Sequence, residues 1–184
     1  MSSEAEALFQ VLHQSADATC ARALEALVRD MPAVKLSRIN VPVLARQSGL
    51  DEQHLIAAFL HATRLGIFEL SWNVLCPGCG GVLEAGATLK SVRHSEYDCA
   101  LCAAGYETTL DEMVEVTFTV SPRVRRIAAH VPDALPLVEY FRQIFWCSGI
   151  DLPEHLEPVF DEITLDTLEL APGERATMSL TLPN

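Results

Sequence analysis

Four of the chain's six cysteines fall in two pairs of identical spacing, Cys76-Pro77-Gly78-Cys79 and Cys99-Ala100-Leu101-Cys102, with nineteen residues between the pairs. No other feature limits the fold as tightly. Two residues between cysteines let the chain turn sharply enough to aim both thiolates at one ion about 2.3 Å away. Glycines at 78, 80 and 81 relieve crowding and leave backbone N–H groups free to donate to sulfur. Two such knuckles on adjacent hairpins complete a tetrahedron, so the spacing predicts a zinc ribbon with Cys76, Cys79, Cys99 and Cys102 as ligands. Four thiolates leave no open coordination position, which makes the expected site structural rather than catalytic. A redox Cys-x-x-Cys occurs once, at the start of a helix in a parallel sheet; here the motif occurs twice, between expected strands. Iron, mononuclear or in a cluster, is the other occupant four cysteines could take. His94, between the knuckles, reads as an exposed loop histidine or a neighbour of the site. Cys20 and Cys147 have no partner in spacing and are expected as buried thiols.

Paired cysteines favour metal over disulfide in a reducing compartment. Met1-Ser2-Ser3-Glu4 shows no basic cluster leading into an apolar core, and the longest apolar stretches, Leu65 to Leu75 and Ile144 to Ile150, are short of the roughly 18 residues a membrane helix needs. The expectation is a cytoplasmic chain without a membrane partner. Lys and Arg number 13 against 25 Asp and Glu, for a net charge of −12. Residues 133–184 carry ten acids and two bases, so most of the imbalance sits there. Neutralising phosphates takes clustered Lys and Arg, which argues against a broad nucleic-acid face. The acidic third reads as a solvated surface or as a face that meets a basic partner.

The hydrophobic pattern divides the chain in three. Over 1–72, helices are expected at Glu4 to His13, Ala16 to Arg29, Val43 to Gln47 and Asp51 to Arg64, with Leu55, Ile56, Phe59 and Leu60 on the buried face of the last. Asp17 and Asp51 suit N-caps, and Gly49 suits a left-handed C-cap. A strand over Ile67 to Leu75 follows. Two short helices joined by Gly49-Leu50-Asp51, with a helix before and a strand after, give a winged-helix-like outline. The presumed reading helix opens Asp51-Glu52-Gln53-His54, and two carboxylates at the end that would enter a groove repel phosphate. Arg38, Arg46 and Arg64 are too sparse to reverse that. The zinc ribbon takes 73–120 and ends on an alternating strand, Met113 to Val120. The rest, 121–184, is expected as an acidic α+β segment. It holds an aromatic-rich amphipathic helix over Leu135 to Trp146 and a β-hairpin of Ile163 to Leu170 and Ala176 to Leu182 around Pro172-Gly173. Arg123-Val124-Arg125-Arg126, the only basic cluster, is expected to pair with the acidic C-terminal third. The fold class is therefore α+β.

Phosphate-binding loops, dinucleotide fingerprints, nucleophile elbows and His-Glu-x-x-His are all absent, and no carboxylate pair suggests an acid/base couple. Three stretches carry a resemblance: Trp72-Asn73-Val74-Leu75-Cys76-Pro77-Gly78-Cys79-Gly80, Cys99-Ala100-Leu101-Cys102-Ala103-Ala104-Gly105-Tyr106, and Asp111 through Pro122. With these, the chain from about Ala21 onward resembles the uncharacterised N-terminal region that precedes the catalytic domain in a group of bacterial class III adenylate/guanylate cyclases. The cyclase domain and its metal-binding aspartates have no counterpart here, so the resemblance carries over no catalytic residue. It implies a non-catalytic, zinc-binding regulatory or protein-interaction module whose partner is a protein or an adjoining cyclase domain. The alternative is a DNA-binding transcriptional regulator, since winged helices and zinc ribbons occur together in such proteins.

Overall fold

A computed structural model of the chain describes residues 2–88, 96–99, 101–107, 114–150, 152–153, 155–163, 168, 170–171 and 173–177. It mixes helix and sheet and is α+β, as the pattern predicts. The chain divides into two compact units, Met1–Asp151 and Leu152–Asn184.

The first unit opens with four helices: α1 (Ser3–Ser15), α2 (Ala18–Asp30), α3 (Val41–Ser48) and α4 (Glu52–Arg64). Each starts on a polar cap. Ser2 accepts from the Ala5 N–H, Asp17 from Thr19 and Cys20, Asn40 from Val43, and Asp51 from His54. These side chains satisfy N–H groups that the first helical turn leaves without partners. Gly49, at φ 70°, ends α3 in the left-handed conformation that L side chains resist. The α4 stripe facing the core is Leu55, Ala58, Phe59 and Ala62. Leu60, expected inside, is 46% exposed. It lies one residue beyond a stripe spaced three, four and seven residues from Leu55, and at 100° per residue that step turns it outward.

Strands β1 (Phe68–Leu75), β2 (Val82–Gly86) and β5 (Val114–Val120) form an antiparallel sheet in the order β2-β1-β5. The register pairs Phe68 with Val120 and Val74 with Val114. On the outer side of β5, Ile39 pairs with Phe118 through two backbone hydrogen bonds of 2.7 and 3.0 Å. A second sheet of two strands, β3 (Glu96–Cys99) and β4 (Ala104–Glu107), lies in the long excursion between β2 and β5. Phe59 of α4 joins helices to sheet, with its ring 4.9 Å from Phe68 and 4.8 Å from Phe118, centroid to centroid. Phe9, Leu12, Leu24, Val28, Leu36 and Ile67 complete the same fully buried cluster.

After β5 the chain returns to the helices. Arg123 pairs with Glu4 at 2.6 Å, and the Arg125 guanidinium donates to the carbonyls of Val28 and Met31 at 2.7 and 2.9 Å. Arg123 and Arg125 thus pair with the N-terminal helices and not with the acidic C-terminal third. Arg125 satisfies carbonyls that the end of α2 leaves free, where the helix dipole favours a cation. The expected helix over Leu135 to Trp146 is shorter and changes pitch: Leu137–Tyr140 is α-helical and Phe141–Phe145 is a wider π turn. Phe141, Phe145 and Trp146 stack on one another at 4.7 to 5.5 Å and are half-buried, not central to the core.

The second unit holds one described helix, Glu157–Ile163. The first expected hairpin strand was to begin at Ile163, which instead ends this helix; most of both strands lies outside the described residues. No helix among the described residues is long and apolar enough to cross a membrane.

Candidate metal centre

Cys76 follows the last residue of β1, and Cys79 sits in the turn that leads into β2. Cys99 ends β3, and Cys102 sits in the turn before β4. Each pair thus occupies the bend of a hairpin, where two intervening residues reverse the chain. The first bend is closed by backbone hydrogen bonds from Cys76 N–H to Gly81 O at 2.7 Å and from Gly80 N–H to Cys76 O at 2.8 Å. In the second, the Cys102 N–H points at the Cys99 sulfur, 3.4 Å away.

The two bends bring the four Sγ atoms within 4.8 Å of one another. Cys76 and Cys102 are 3.7 Å apart, as are Cys79 and Cys99, so both short pairs span the two hairpins. A tetrahedron of sulfurs around a zinc ion at about 2.3 Å has edges of about 3.8 Å. The spacing and the soft donor set therefore fit a tetrahedral thiophilic ion. Cys76 and Cys99 are buried; Cys79 and Cys102 are half-buried. Beneath them Val74 and Tyr97 form a small separate core with Leu83 against it. The Tyr97 hydroxyl donates to Glu84, which ties β3 to β2.

The local field differs between the thiols of one knuckle. Burial pushes Cys76 up, but N–H groups of Cys79 and Gly78 and the neighbouring thiols outweigh it and lower its pKa to about 6. Burial and hydrogen bonds with the other three thiols push Cys79 up to about 12, against the N–H of Gly81. One thiol that ionises readily beside another that resists is the expected behaviour of thiolates crowded without a cation between them.

The residue after each pair has a left-handed backbone: Gly80 at φ 72° and Ala103 at φ 50°. The glycine was legible as a turn signal. The alanine, doing the same turn at a steric cost, was not. His94 lies outside the described residues. Cys20 is buried as expected, whereas Cys147 is half-buried with its sulfur over Gly80 of the first knuckle.

Arg38 is the residue the sequence misplaced. Counted beside Arg46 and Arg64 as a possible phosphate contact, it instead pairs with Glu115 at 2.7 Å, its side chain 12% exposed. Arg46 and Arg64 remain exposed. Asp51 is exposed and accepts the His54 N–H at 2.9 Å, the capping role its position predicts.

No curated protein and no solved structure matches the chain. A family of unknown function, DUF5939, matches it over residues 2–184, and the chain belongs to that family.

Proposed function

We propose that the chain is a non-catalytic, zinc-binding regulatory or protein-interaction module. The observation that supports it most is the cysteine cluster: four sulfurs from two hairpin bends at tetrahedral spacing, with every coordination position of one ion accounted for. Such an ion supplies folding energy to small hairpins that cannot bury a sufficient core alone, and it has no vacant position for substrate. A second support is the order of elements. Helix α3, a tight turn, α4 and β1 are followed after the knuckles by β5 beside β1, with Ile39 pairing to β5. This order supports reading the part around α3 and α4 as a winged helix-turn-helix, with the cysteine hairpins inserted where the wing would be. The partner we favour is a protein, and the sequence resemblance names an adjoining nucleotide cyclase domain as one such partner.

The test is elemental analysis of protein purified in reductant. One zinc per chain supports the reading, with Cys76→Ser losing the metal and Cys147→Ser keeping it. Absence of stoichiometric metal sinks it.

The helix order also favours a second reading, a DNA-binding regulator. Charge opposes it: Asp51 and Glu52 stand exposed at the start of α4, and Arg38 is already engaged with Glu115.

A further inference from the structure

We propose that metal occupancy holds the segment Phe145–Gly149 against the first knuckle, so that binding or loss of the ion docks or frees a strap that reaches from the metal site to α3. The inference rests on the reading of the four cysteines as a metal site and adds what that site controls.

The strap is seated on the knuckle backbone. The Cys147 N–H donates to Gly80 O at 2.8 Å, and Trp146 pairs with Gly81 as an isolated antiparallel bridge. The seat has no room for side chains. A Cβ at Gly81 would stand 2.7 Å from Cζ of Phe145, and one at Gly80 would stand 3.2 Å from the Cys147 sulfur. At its far end the strap abuts α3, where a Cβ at Gly149 would stand 2.9 Å from Cγ2 of Val43. Between the two ends it is held from the sheet side. Arg38 donates to the carbonyls of Ile144 and Trp146, and Glu115 accepts from the N–H and hydroxyl of Ser148.

The knuckle presents its acceptor to the strap only while residues 76–81 keep their shape. Two backbone hydrogen bonds close this loop, and it contains two consecutive glycines, the residues that lose most conformational freedom on ordering. A metal bound to Cys76 and Cys79 fixes both ends of the turn and ties it to the second hairpin. Without the ion, Gly80 O is no longer fixed, and the strap loses its support on the knuckle. The strap's Trp146 carbonyl and the N–H and hydroxyl of Ser148 also supply partners to Arg38 and Glu115, so freeing it lets water reach that pair. The ion at one end is thereby linked to the N-terminal half of the helix-turn-helix at the other.

Amide hydrogen exchange on the full chain, zinc-loaded against chelator-stripped, reads this directly, with metal content measured on the same samples. Exchange at Cys147 and Ser148 is expected to speed up by about tenfold on stripping while α4 stays protected, as for a local opening. In Phe145→Ala, zinc stays at one per chain but the strap loses the ring that seats against Gly81, so the same amides exchange faster. Equal rates at Cys147 in loaded and stripped protein, or unaltered rates in a zinc-loaded Phe145→Ala, overturn the coupling and leave the metal reading intact. Protein that takes up no zinc overturns both.

Discussion

Arg38 and Glu115, 77 residues apart in the chain, form an ion pair of 2.7 Å whose side chains are 12% and 9% exposed. Around it gather Asn73, which donates to Glu115 at 3.2 Å and to Thr117 at 3.0 Å, and the carbonyls of Ile144 and Trp146. A charge pair this enclosed is tolerable because most of its polar atoms find partners, Arg38 Nε excepted. Removing one member strands the other. Glu115→Ala should therefore cost about 3–5 kcal/mol in urea unfolding. Arg38→Met combined with Glu115→Leu should cost less than the single change, because no buried charge is left. A single-variant loss below about 1 kcal/mol, the ceiling for an exposed pair, contradicts the enclosure.

Ala103 carries a left-handed backbone at φ 50°, where Gly80 stands in the other knuckle. A Cβ in that conformation costs about 1–2 kcal/mol, and glycine's extra freedom in the unfolded chain gives back about 0.5–1 kcal/mol of the relief. Ala103→Gly should thus leave stability unchanged or raise it by up to about 1.5 kcal/mol, whereas Ala103→Val should lower it. Thermal unfolding of the zinc-loaded protein checks this. A destabilised glycine variant means the strain is not there.

Asp17 caps α2, and the N–H of Cys20 lowers its carboxyl pKa from 3.8, against desolvation and with help from the N–H of Thr19. A depressed carboxyl stabilises the fold above its unfolded value and loses that contribution as pH falls through the folded one. The stability gap between wild type and Asp17→Ala should therefore be constant above pH 3.8 and narrow below it. Denaturant midpoints measured across that range show it, and a gap that widens in acid would count against the cap.

Duplex DNA should bind poorly. A binder makes on the order of 6–10 phosphate contacts, and near α4 only Arg46 and Arg64 remain exposed while Asp51 and Glu52 repel. An anisotropy titration at about 50 mM salt is the lenient case, since low salt exaggerates electrostatic binding. Micromolar affinity there, weakened by Arg46→Ala, would move the account to the transcriptional reading.

What the sequence made legible was local. The Cys-x-x-Cys spacings, the caps at Asp17 and Asp51 and the turn at Gly49 each depend on residues within a few positions of one another, and all stand where expected. What escaped was set by distant contacts. Arg38 reads as a surface cation until Glu115 arrives beside it, and Arg125 reads as a partner for acids until the end of α2 offers it carbonyls. The aromatic run after Leu135 has helical spacing, but its last residues, Trp146 and Cys147, are drawn into extended pairing with Gly81 and Gly80, which ends the helix early. Leu60 shows the limit of reading a stripe by hydrophobicity alone, since Ala58 and Ala62 take the core positions beside it.

The central claim is that one ion sits among Cys76, Cys79, Cys99 and Cys102, and X-ray absorption at the zinc edge tests it most directly. The account predicts a first shell of four sulfurs at about 2.3 Å and no nitrogen or oxygen. A shell with fewer than four sulfurs, or with a light-atom ligand in a fourth position, contradicts it.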